Sequence, residues 1–78
     1  AAHDALPLLE DEVAVRDSLL VAGDYRRGEA LVAFGRALAA TGQAARARQA
    51  LESAGTIFAG AGRRDELAET RRLLALLR

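Results

Sequence analysis

The sequence predicts an all-α fold: four antiparallel helices, paired as stacked helical hairpins in one domain over residues 1–78. Three observations predict it. Ala and Leu, both strong helix formers, supply 32 of the 78 residues. β-Branched residues are few: Val13, Val15, Val21, Val32, Ile57 and three Thr. Glycine rather than proline punctuates the chain, and Gly23, Gly42 and Gly60-Ala61-Gly62 divide it into four segments of helical length. No strand alternation competes with this pattern.

The first helix is expected over 7–22. Pro7 suits a first helical turn, where its missing N–H is not needed. The second is expected over 24–40, with Asp24 at the N-cap and Tyr25 anchoring the Gly23-Asp24 turn. Its buried stripe is Leu31, Phe34 and Leu38, widened by Ala30, Ala33 and Ala37. The third is expected over 43–59, burying Ala47, Leu51, Ala54 and Phe58 and exposing Arg46, Gln49 and Ser53. The fourth is expected over 64–77, with Asp65 and Glu66 in the first turn, where the helix dipole favours acids. Its leucines, Leu67, Leu73, Leu74, Leu76 and Leu77, cover more than one face and call for a further neighbour. Links this short make neighbouring helices antiparallel.

Composition excludes several functions. A chain of 78 residues forms one compact unit and is too short for a doubly wound nucleotide-binding domain. It has no Cys, so no disulfide framework and no thiolate metal site. Eleven Arg balance eleven acids, which argues against a general nucleic-acid binder. The balance is uneven: residues 1–17 carry a net charge of −4 and residues 18–78 carry +4. No basic leader and no apolar run of membrane-spanning length is visible, so the expected location is cytoplasmic. The chain has no initiator Met and reads as a processed or excised piece of a longer protein.

An offset of 39 residues lays Leu19 on Phe58, Gly23 on Gly62, Phe34 on Leu73, Ala37 on Leu76 and Leu38 on Leu77. Core falls on core and turn on turn. Leu31, Phe34, Gly35 and Leu38, followed by Ala47, Leu51 and Ala54, resemble the tetratricopeptide repeat in residue type and spacing. Gly35 and Ala47 are small where the two helices would cross, with Leu31, Leu51 and Phe58 beside them. Leu51 departs from the usual aromatic, and Ala59 stands where the repeat's proline belongs. The longer period, and the stretch from Phe34 to Leu73, are similar to the repeat arrays of large bacterial ATP-binding transcription regulators with a LuxR-type DNA-binding end. The resemblance implies a right-handed stack and a protein-interaction role.

No catalytic set appears. Ser18 and Ser53 have no His in reach because His3 is terminal, and Asp65 and Glu69, at i, i+4, read as surface charge. The chain is therefore expected not to be an enzyme, with no catalytic, cofactor or metal residues. Glu10-Asp11-Glu12 point different ways on a helix and form an acidic face rather than a cation cage. Arg26-Arg27 and Arg63-Arg64 follow turns and would share one edge of the stack. That edge could hold an acidic peptide or phosphate, or could be solvated surface.

The expected function is a protein–protein interaction or interdomain scaffold module of a bacterial regulatory protein. Its partner is a protein, a peptide or a neighbouring domain. The concave face would come from the second and fourth helices, through Arg26, Glu29, Val32, Arg36, Arg71 and Ala75. The alternative is a homodimeric four-helix docking module of a multienzyme assembly, self-associating through Leu73, Leu74, Leu76 and Leu77. A DNA-reading helix-turn-helix over Leu38–Gly55 is the weakest reading, because Arg48 stands where an apolar residue should pin the second helix.

Overall fold

A computed structural model describes residues 6, 9, 10 and 24–77. Within them lie three helices and no strands: α1 (Tyr25–Ala40), α2 (Ala44–Gly60) and α3 (Arg64–Leu76). The all-α class is as expected, but the count of four is not matched. The helix expected over 7–22 lies outside the described residues, apart from Leu9 and Glu10, which are helical. Leu6, also helical, is buried in the core cluster, and Glu10 reaches Arg46 at 3.4 Å.

α1 starts where Asp24, in an extended conformation, accepts the Arg26 N–H on Oδ1 at 2.9 Å. One otherwise orphaned backbone donor is thereby satisfied. The two inter-helix turns share one design. At the end of α1, the Gln43 N–H bonds the Leu38 carbonyl at 2.9 Å and the Gly42 N–H bonds Ala39 at 3.1 Å. At the end of α2, Arg63 bonds Phe58 at 2.9 Å and Gly62 bonds Ala59 at 3.3 Å. Both are Schellman caps, and each turns on a glycine with positive φ: 81° at Gly42 and 71° at Gly62.

α2 is the central helix and packs against both others. Opposed contacts give the directions. The start of α1 (Gly28) meets the end of α2 (Phe58), and the middle of α1 (Gly35) meets the middle of α2 (Leu51). Arg48, early in α2, donates from Nη2 to the Leu77 carbonyl just beyond α3, at 3.1 Å. Each neighbouring pair is therefore antiparallel. Ala47 and Ala54, the small residues of α2, are fully buried, as are Leu38, Leu51 and Phe58 around them. Small side chains let the axes approach, and the large ones fill the space on either side.

α3 is less well covered. Its one fully buried side chain is Thr70, whose hydroxyl donates to the Glu66 carbonyl one turn back at 2.7 Å. Leu67 and Leu77 pack against the core, Leu73 and Leu74 are half-buried, and Leu76 is 80% exposed.

Candidate functional site

α1 and α3 lie on the same side of α2 and leave a groove of about 330 Å³ between them. From α1 it is lined by Glu29, Val32, Ala33 and Arg36, and from α3 by Glu66, Glu69 and Thr70. Phe58 of α2 also lines it, from the core. The helical period explains the first set. Glu29, Val32, Ala33 and Arg36 recur at i, i+3, i+4 and i+7, so one side of α1 faces the groove while Leu31 and Leu38 turn inward. On α3, Glu66, Glu69 and Thr70 do the same at i, i+3 and i+4.

The polar groups form two sets. In the middle, Arg36 Nη2 crosses from α1 to Glu69 Oε1 at 3.3 Å, and Arg72 Nε meets Glu69 Oε2 at 3.2 Å. All three side chains are about half exposed or more, so these pairs contribute little to stability. Where the two helices begin, Arg63 binds Glu66 with both prongs, Nε to Oε2 at 2.9 Å and Nη2 to Oε1 at 3.2 Å. The same guanidinium lies 4.0 Å from the centroid of the Tyr25 ring. The start of α3 is thus held to the start of α1. The hydrogen bond to Glu66 raises the Arg63 pKa above its ordinary value. Glu29, also on the groove, forms no ion pair with any described residue.

The residues assigned to a concave face divide among three places. Glu29, Val32 and Arg36 line the groove. Arg26 is folded back on its own cap, with Nε 3.1 Å from Asp24 Oδ1 and Nη2 2.9 Å from Oδ2. That hydrogen bond raises its pKa. Arg71 and Ala75 line a separate cleft between α2 and α3, with Arg48, Glu52 and Leu74. The rotation of α3 is responsible: Thr70 and Leu67 turn inward, bringing Glu66 and Glu69 to the groove and Arg71 and Ala75 to the other flank. Sequence reasoning gave no groove role to Ala33, Phe58, Glu66, Glu69 or Thr70. Ala33 and Phe58 carry only a core signal, whereas a helical projection of α3 about Thr70 would have found the two glutamates.

Of the arginine pairs at the turns, Arg63 comes to the start of α1, over Tyr25. Among the described residues no group of three or more His, Cys, Asp or Glu is placed to hold a metal ion. Arg48 is exposed and donates to the Leu77 carbonyl. The groove presents a part-apolar wall between carboxylates and one guanidinium.

Fold and groove together define the class, a small all-α helical unit with a groove between two helices on one side of a third. No family model, curated protein or solved structure matches the chain. No helix among the described residues is long and apolar enough to cross a membrane.

Proposed function

We propose that this chain is a protein–protein interaction or interdomain scaffold module built of tetratricopeptide-like hairpins, serving a larger bacterial regulatory protein in the cytoplasm. The observation that carries the reading is the groove between α1 and α3. In a stack of helical hairpins the first helices of successive units line the concave face, and the position of α1 and α3 on one side of α2 supports that reading. Support also comes from the α1–α2 crossing, where Gly35 and Ala47 occupy the small-residue places of the motif.

Affinity capture with paired charge reversals tests the reading. Arg36→Glu alters the groove, whereas Arg71→Glu alters the far cleft. A partner held by wild type and Arg71→Glu but lost by Arg36→Glu supports the groove. Equal retention by both variants overturns it.

A second reading, a homodimeric docking module, rests on Leu76 and the half-buried Leu73 and Leu74. Leu76→Asp is the probe, because Leu76 is exposed whereas Leu77 packs against the core. Sedimentation at micromolar concentration should then show a dimer that Leu76→Asp dissociates. A wild-type monomer ends this reading.

A further inference from the structure

We infer that the groove takes a partner segment presenting a Lys or Arg side chain beside an aliphatic one, the cation meeting Glu29 and the aliphatic group seating on Val32 and Ala33. The inference rests on the groove being the binding surface. Its basis is charge complementarity. Three of the groove's charged lining residues are glutamates, and only Arg36 is cationic. Two of those glutamates already have partners: Glu66 is held by Arg63, and Glu69 by Arg36 and Arg72.

Glu29 differs. It is exposed, it lines the groove, and it makes no ion pair with any described residue. Arg26 and Arg63, two cations that sense its charge, are each committed by hydrogen bonds to another acid, Asp24 and Glu66. Among the described residues, an incoming cation therefore displaces no existing pair at Glu29. An incoming anion would meet three carboxylates, and Arg36 could answer it only by leaving Glu69. One turn along α1 from Glu29, the half-buried Val32 and Ala33 offer apolar surface with no polar side chain between them. An aliphatic group adjoining the cation would remove that surface from water. Charge selects the partner, and apolar contact adds affinity.

The test uses the full 78-residue chain and two fluorescein-labelled peptides, one alternating leucine with lysine and the other leucine with glutamate. Fluorescence anisotropy gives the affinities. The lysine peptide should bind and the glutamate peptide should not. Glu29→Gln should weaken lysine-peptide binding by about 1.5- to five-fold, the range of one exposed charge pair. Glu52→Gln makes the same charge change in the far cleft and should leave affinity unaltered. No binding of the lysine peptide, equal binding of both peptides, or equal effects of the two glutamine variants overturns the inference.

Ala33→Phe fills the groove without changing charge and separates this failure from failure of the groove itself. Peptide binding lost in Ala33→Phe but indifferent to Glu29→Gln keeps the groove and rejects the cation. Binding that survives Ala33→Phe rejects both. Thermal melts of each variant establish that it is folded.

Discussion

A Cβ placed on Gly28 would lie 2.8 Å from Cε1 of Phe58 and 3.0 Å from Cζ, so the Phe58 ring packs directly against the backbone of α1. One heptad on, the same relation recurs: a Cβ on Gly35 would lie 2.9 Å from Cγ of Leu51. Leu51 and Phe58 are themselves a heptad apart on the antiparallel helix. Two absent side chains on α1 thus receive two large ones from α2. The hairpin is held by this paired fit more than by any ion pair.

Gly28→Ala and Gly35→Ala should therefore both destabilise the fold, although alanine is the better helix former. Propensity favours alanine by ~1 kcal/mol, while overpacking a well-filled site typically costs ~1–3 kcal/mol. Phe58 and Leu51 are almost wholly buried and have little room to give way. A net loss of about 1 kcal/mol is expected, and a small domain then melts ~4–8 °C lower. Differential scanning calorimetry checks it, and a rise in Tm for either variant would contradict the close fit.

Gly55→Ala should do the opposite. Its added Cβ would meet Leu67 Cδ1 and Thr70 Cγ2 at 3.8 Å, ordinary contact distances. Only the backbone effect remains, and alanine should stabilise α2 by about 0.5–1 kcal/mol. Urea denaturation of this variant beside Gly28→Ala tests whether local space, rather than glycine as such, sets the sign.

Much of this hairpin is legible in the sequence because each signal is local. Gly42 and Gly62 end their helices by backbone geometry alone, and Asp24 caps by a side chain two residues from its donor. Gly35 is legible because apolar residues flank it at helical spacing. Gly28 is not: it sits between Arg27 and Glu29, and only its seven-residue distance from Gly35 betrays it. The groove was half legible for a similar reason. The α1 side follows from the stripe of Leu31 and Leu38, whereas leucines on two sides of α3 left its rotation open. Tertiary contact resolves it, through Thr70, a polar residue that periodicity does not mark as core. The 39-residue offset also overstates equivalence. It lays Gly28 on Leu67 and Gly35 on Leu74, so the close approach of α1 and α2 has no counterpart in the residues of α3.

The turn glycines carry a third prediction. Nothing lies within 4 Å of a Cβ built on Gly42 or Gly62, so substitution there is purely a matter of positive φ. Gly42→Ala and Gly62→Ala should each cost about 1 kcal/mol, and Gly42→Asn less, since asparagine tolerates the left-handed region better. Equal Tm values for Gly42→Ala and Gly42→Asn would count against that account.

The Tyr25–Arg63 contact carries the last. The clamp joins elements that are not sequence neighbours: the ring begins α1, and the guanidinium precedes α3 while gripping Glu66. Tyr25→Leu keeps apolar bulk at the half-buried ring position but removes the π face. Arg63→Gln removes the charge. In a double-mutant cycle the two changes should be non-additive by about 0.5–1 kcal/mol, the scale of a part-exposed cation–π pair. The Arg63–Glu66 half of the clamp should weaken with added salt, because its side chains are roughly one-third exposed. The coupling should appear locally as well, as faster amide exchange in the first turn of α1 when Arg63 is replaced. Additive single effects, with exchange at α1 unchanged, would mean that the two helix starts are held together by burial against α2 alone.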